Sequence, residues 1–94
     1  MMSEIPLKIA PQVRDYIGTL PPDMKKRVRA EMKKLSAGGG DTHGLRPPLE
    51  RYSRLRIGDH RIIYEYVAPS SIVCAFAGDR ATVYQDFQPP SGGE

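Results

Sequence analysis

The residues of this chain best suited to chemistry are arginines gathered in one short segment. Arg54, Arg56 and Arg61 lie between Tyr52 and Tyr66, where β-prone tyrosine, isoleucine and valine are frequent. A guanidinium group is planar, permanently charged and able to hold a phosphate through two parallel hydrogen bonds. A converging set of such groups fits an RNA backbone, or the pentavalent phosphorane formed when that backbone is cleaved.

A β-hairpin is needed to bring these arginines together. Two β-prone stretches, 52–57 and 60–67, are separated by Gly58-Asp59, a two-residue connection typical of a tight hairpin turn. Counting outward from this turn predicts four cross-strand pairs: Ile57 with His60, Arg56 with Arg61, Leu55 with Ile62, and Arg54 with Ile63.

Strand alternation divides this hairpin into two faces. The face expected to pack against helices carries apolar side chains: Leu55, Ile57, Ile62 and Tyr64. The opposite face carries charged side chains: Arg54, Arg56, Arg61 and Glu65. Because Arg56 and Arg61 would repel each other, we expect either a bound anion between them or a carboxylate that neutralises the arginines. The carboxylates that the sequence offers are Glu50, Glu65 and Asp79.

The remaining patterns predict a single α+β domain with two N-terminal helices packed on a mainly antiparallel sheet. Alternating Ile5, Leu7 and Ile9 predict a first strand, and helical spacing predicts a helix from Gln12 to Leu20. A second, basic helix is predicted after Pro22, with an apolar stripe formed by Met24, Val28, Met32 and Leu35. Residues 38–48 are expected to form a flexible loop, and 71–77 an apolar strand inside the sheet, which gives the order β-α-α-β-β-β.

Composition narrows the possible environments and partners. The chain has 94 residues, a formal charge of +3 and a pI of about 9.2, which favours anionic partners such as nucleic acid. We expect one domain over residues 1–87 and a disordered tail over 88–94. The lone Cys74 lies in an apolar run, and no signal peptide or membrane-spanning stretch is evident, so a cytoplasmic protein without membrane contact is expected.

Two segments together resemble the RelE/ParE toxin superfamily. The string from Tyr52 to Tyr64, YSRLRIGDHRIIY, is similar to the hairpin signature of that superfamily. Gly78-Asp79-Arg80, followed by Val83-Tyr84, resembles its closing motif. The predicted order of helices and strands also agrees with this fold over almost the whole chain.

The resemblance to RelE-like members implies a toxin of a type II toxin–antitoxin system. Such a toxin is an endoribonuclease that cuts messenger RNA on the ribosome and is held inactive by a cognate antitoxin, which also provides contact with operator DNA. The ribose 2′-hydroxyl attacks the adjacent phosphate, and no metal or other cofactor is required.

The same resemblance assigns roles to particular residues. Arg54 occupies the position linked to activating the nucleophile, and Arg61 that of the phosphate-stabilising arginine. Arg80 matches the arginine assigned to protonation of the leaving group, and Tyr84 the tyrosine that orients the substrate. Arg46 and Arg56 are expected to bind the RNA backbone.

The first hairpin strand departs from well-studied members, which carry two lysines there, because this chain has Arg54 and no lysine. Arginine is a poor general base, so the base is unassigned. His60 should face the core, and His43, in the predicted loop, is a weaker candidate. Two alternatives stay open: a ParE-like toxin that inhibits gyrase, and an inactive RelE-fold protein that only binds its antitoxin and operator DNA.

Overall fold

The computed structural model of the protein describes residues 5–67 and 69–89. In chain order, the elements are β1 (Leu7–Ile9), α1 (Pro11–Gly18), α2 (Pro22–Ser36), β2 (Thr42–Gly44), β3 (Ser53–Ile57), β4 (His60–Val67), β5 (Ser71–Asp79) and α3 (Val83–Asp86). The strands form one sheet in the order β1-β5-β4-β3-β2. All neighbouring pairs are antiparallel except β1 with β5, which is parallel. The predicted fold class is confirmed.

Local sequence signals explain where the two longer helices begin and end. Pro11 and Pro22 each stand in the first turn, where a missing N–H costs nothing. Helix α2 ends in a Schellman motif: Gly38 has a φ of 93° and donates its N–H to the carbonyl of Leu35, while Gly39 donates to Lys34. These bounds lie within two residues of the predicted ones.

The main core lies between the two helices and one face of the sheet. Val13 of α1 and Val28 and Leu35 of α2 are buried there. They pack with the four hairpin residues predicted to face the helices, which are Leu55, Ile57, Ile62 and Tyr64. That prediction is therefore confirmed. Strand β5 lies inside the sheet, as predicted, and extends two residues further than expected, to Asp79.

A second, smaller core covers the other face of the sheet and was not predicted. It contains Tyr52, Ile63, Val83 and Phe87, with the rings of Tyr52 and Phe87 in edge-to-face contact at 4.9 Å. Helix α3 brings Val83 onto this face. Gly78 permits the approach, because a Cβ built there would lie only 3.1 Å from a methyl carbon of Val83.

The prediction of a flexible loop over residues 38–48 was wrong in part, because residues 42–44 form strand β2. Thr42, His43 and Gly44 pair with Leu55, Arg54 and Ser53 of β3. Three residues without apolar alternation carry no strand signal of their own, so the pairing depends on the neighbouring strand.

Most of the predicted tail lies outside the described residues, which include only Gln88 and Pro89 of it. None of the described helices is long and apolar enough to cross a membrane.

Burial makes the thiol of Cys74 unreactive. Its side chain is fully buried in β5, and this burial raises the pKa of the thiol from 9.0 to about 11. Because the thiolate is the reactive form, iodoacetamide at pH 8 should leave the native protein unlabelled and label it after denaturation, as measured by mass spectrometry. Labelling of the native protein would show that the sheet opens at this strand.

The raised pKa of Cys74 also predicts how stability depends on pH. The unfolded chain loses the thiol proton at lower pH than the folded protein, so the free energy of unfolding should fall between pH 9 and about 11.

Candidate functional site

The hairpin has the predicted register. Arg56 lies directly opposite Arg61, and Arg54 opposite Ile63, so the three arginines share the face that is turned away from α1 and α2. Glycine suits the first position of this turn, because Gly58 has a φ of 59°, a backbone conformation that residues with a side chain rarely adopt. Helix α3 packs on this same face through Val83 and Ile63. The candidate site therefore lies where helix α3 meets the face that carries the three arginines.

Arg61 is held at the hairpin turn. Its Nη1 donates hydrogen bonds to the carbonyl oxygens of Gly58 at 2.8 Å and His60 at 3.0 Å, and the residue is half-buried. It has no carboxylate partner among the described residues. The guanidinium group is therefore positioned by neutral oxygens and keeps its full charge available to an anion.

Arg56 and Arg80 have carboxylate partners that the sequence analysis did not identify. The Nε of Arg56 lies 3.9 Å from Oδ2 of Asp41, which precedes β2. The Nε of Arg80 lies 3.6 Å from Oδ1 of Asp59 in the hairpin turn. The side chains in each pair are more than half exposed, at 56% and 60% for the first pair and 66% and 75% for the second. Exposed pairs of this kind contribute about 0–1 kcal/mol. A phosphate could therefore replace either carboxylate at little cost.

Arg54 has an unusual environment for a charged side chain. Its Nη1 is buried and has no hydrogen-bond partner among the described residues. A buried donor without a partner costs about 1–3 kcal/mol, and more when it is charged. The buried atom is therefore a local source of instability, whereas the half-buried side chain as a whole lies on the arginine face.

Tyr84 and Arg46 lie at the β2 side of this face. They line a groove of about 440 Å³ together with Leu45, Leu49 and His43. Tyr84 is 42% exposed and lies on α3, whereas Arg80 lies in the turn before that helix. Arg80 and Tyr84 therefore do not share a helical turn, although they are four residues apart, because α3 begins only at Val83.

Two residues of this region were underestimated from the sequence. His43 was placed in a flexible loop, but pairing with Arg54 brings it onto the arginine face. Gly78 was given no structural role beyond its place in the closing motif, but its lack of a side chain lets α3 reach the sheet. A signal for the second core did exist, since the predicted pairing of Arg54 with Ile63 already placed an apolar residue among the arginines.

His60 lies on the helix side, as its alternation predicted. Its Nδ1 is 2.7 Å from the hydroxyl of Tyr16, and the two rings meet edge to face. The pKa of Tyr16 is raised mainly by burial of its side chain and, to a smaller extent, by the negative charge of Asp79. Within the described parts of the chain, no three histidine, cysteine, aspartate or glutamate side chains are grouped closely enough to hold a metal ion.

Comparison with known proteins yields structural similarity without recognisable sequence similarity. No protein-family model matches the sequence, and no curated protein matches it. A chain of the toxin–antitoxin complex RelBE2 from Mycobacterium tuberculosis superimposes with a TM-score of 0.69 and 21% identity, covering 86% of this chain and 97% of the other. A chain of the RelB-RelE antitoxin–toxin complex from Methanococcus jannaschii gives a TM-score of 0.67 and 19% identity, with 86% and 99% covered. This chain therefore has the RelE-like α+β fold.

Proposed function

We propose that this protein is the toxin of a type II toxin–antitoxin pair and that it cleaves messenger RNA on the ribosome. The observation that carries the proposal is the guanidinium group of Arg61, which two carbonyl oxygens hold at the hairpin turn and which has no carboxylate partner among the described residues. Arg54 and Arg56 lie on the same face. A fixed guanidinium group that no carboxylate neutralises is suited to holding a phosphate through charge-assisted hydrogen bonds. The RelE-like fold of the two complexes described above supports the same assignment.

The proposed reaction is attack of a ribose 2′-hydroxyl on the adjacent phosphate. Arg54 orients the nucleophile and stabilises its developing charge, while Arg61 stabilises the phosphorane. Arg80 assists departure of the 5′-oxygen by donating a proton or hydrogen bond, and Tyr84 orients the substrate by stacking on a base or bonding to a phosphate oxygen. Arg46 and Arg56 bind the RNA backbone. The products would be a 2′,3′-cyclic phosphate and a 5′-hydroxyl end.

The proposed partners follow from the same assignment. A cognate antitoxin would hold the protein inactive, and contact with operator DNA would be made through the antitoxin complex. This part is supported by the fact that both similar structures are toxin–antitoxin complexes. The ribosome would supply the bound messenger RNA and help to position it.

A second candidate is a RelE-fold protein that binds its antitoxin but has no nuclease activity. The observation that favours it is that Arg56 and Arg80 already have carboxylate partners in Asp41 and Asp59. In this case, the arginines would form an ordinary charged surface. The weakness of these exposed pairs favours the nuclease.

The test is primer extension on a defined message in a translation system of purified components. We expect new 5′ ends within the ribosome-bound region and none on the same RNA without ribosomes. A binding-only protein would give no new ends in either sample. If no ends appear and DNA gyrase is inhibited in a supercoiling assay, the ParE-like alternative would replace the proposal.

A further inference from the structure

His43 lies beside the arginines that the proposed reaction uses. In the register of the sheet, it is directly opposite Arg54, so both side chains lie on the same face. It also lines the groove that contains Arg46 and Tyr84. Its position on β2, an edge strand of the sheet, leaves it exposed to an incoming ligand.

The carboxylates near this face each lie beside an arginine, and the second histidine lies on the other face. Asp41, Asp59 and Glu65 each lie in an ion pair with an arginine. His60, the second histidine of the chain, is on the opposite face and contacts Tyr16. Arginines stay protonated near neutral pH and cannot accept a proton. An imidazole changes its protonation state near neutrality and is the side chain most often used for this task.

We propose that His43 is the general base of the RNA cleavage site, an inference that rests on the proposed function. A ring nitrogen of His43 takes the proton of the 2′-hydroxyl as the 2′-oxygen bonds to phosphorus. The bond from phosphorus to the 5′-oxygen then breaks, and that oxygen takes a proton from the guanidinium group of Arg80, which regains one from water. Arg54, opposite His43 in the sheet, stabilises the charge that develops on the 2′-oxygen.

The first measurement compares single-turnover cleavage by wild type, His43→Ala and His60→Asn on the same ribosome-bound message. We expect His43→Ala to be slower by about 10²- to 10⁴-fold, the usual contribution of general acid–base catalysis. His60→Asn also removes one imidazole, but an amide can keep a hydrogen bond to Tyr16, so its rate should stay near that of wild type. Thermal unfolding of all three proteins establishes that the variants are folded.

A second substrate distinguishes a base from an acid. RNA with sulfur in place of the scissile 5′-bridging oxygen has a leaving group that needs no protonation. The defect of His43→Ala should persist on this RNA, whereas that of Arg80→Ala should be largely relieved.

Two results would overturn the assignment of His43. One is wild-type cleavage by folded His43→Ala, and the other is relief of its defect by the sulfur-containing RNA, which would make His43 a proton donor. Failure of the wild-type protein to cleave the unmodified message is a separate outcome. It would remove the proposed function itself, and with it the role of His43.

Discussion

Arg61→Ala is expected to abolish toxicity while the protein remains folded. Removal of a single group that stabilises a charged transition state lowers a rate by about 10²- to 10³-fold. Arg61 is well placed for such a role because carbonyl oxygens of the hairpin turn hold its guanidinium group and no carboxylate neutralises it among the described residues. Growth of cells expressing the variant, together with primer extension on ribosome-bound message, measures the effect.

A stability control is needed because Arg61 also supports the turn. Loss of its hydrogen bonds to Gly58 and His60 should lower the free energy of unfolding by about 1–3 kcal/mol. This is smaller than the 5–15 kcal/mol typical of a domain, so the variant should still fold. Arg29→Ala, which removes the same charge from an exposed position on α2, should retain toxicity. Retained toxicity in folded Arg61→Ala would instead refute its assigned role.

Arg54→Met is expected to change stability and activity in opposite directions. Methionine is flexible enough to fill the space of the arginine stem, and it removes the buried Nη1, for which the described part of the chain offers no hydrogen-bond partner. We therefore expect the free energy of unfolding to rise by about 1–3 kcal/mol. Cleavage should fall by about 10²-fold or more, because the group proposed to activate the 2′-hydroxyl is lost.

The matched stability control is Arg56→Met, two residues along the same strand. Its guanidinium group is exposed and pairs weakly with Asp41, so unfolding should change by no more than about 1 kcal/mol. Chemical denaturation of both variants, followed by circular dichroism, gives the comparison. A marked loss of stability in Arg54→Met alone would show that its guanidinium group supports the fold, and the argument from the unpartnered atom would fail.

The parts of the fold that were predicted correctly depend on short-range signals. Gly58 and Asp59 define the turn, and a two-residue turn leaves only one register for the strands that flank it. The pairing of Arg56 with Arg61 and the inward position of Leu55 follow from that register. The helices were similarly indicated by proline at their starts and glycine after α2.

The parts that were not predicted depend on contacts between residues distant in sequence. Strand β2 has no strand pattern of its own and exists because β3 offers it hydrogen-bonding partners. The second core forms because Gly78 lets Val83 approach the sheet, which cannot be read from the composition of residues 78–87. The carboxylate partner of Arg56 was missed for the same reason, since Asp41 reaches it through the β2–β3 pairing.

The sequence by itself determined the arginine face of the hairpin, because alternation and a two-residue turn dictate which side chains share a face. It also determined that His60 points toward the helices. Only the tertiary structure decided what lies beside the hairpin. It placed His43 opposite Arg54, brought Tyr84 of α3 and Arg46 to one groove with His43, and buried the Nη1 of Arg54 without a partner among the described residues. Side-chain direction within a hairpin is a local property of the backbone, whereas the neighbours of that face come from segments that must fold back onto it.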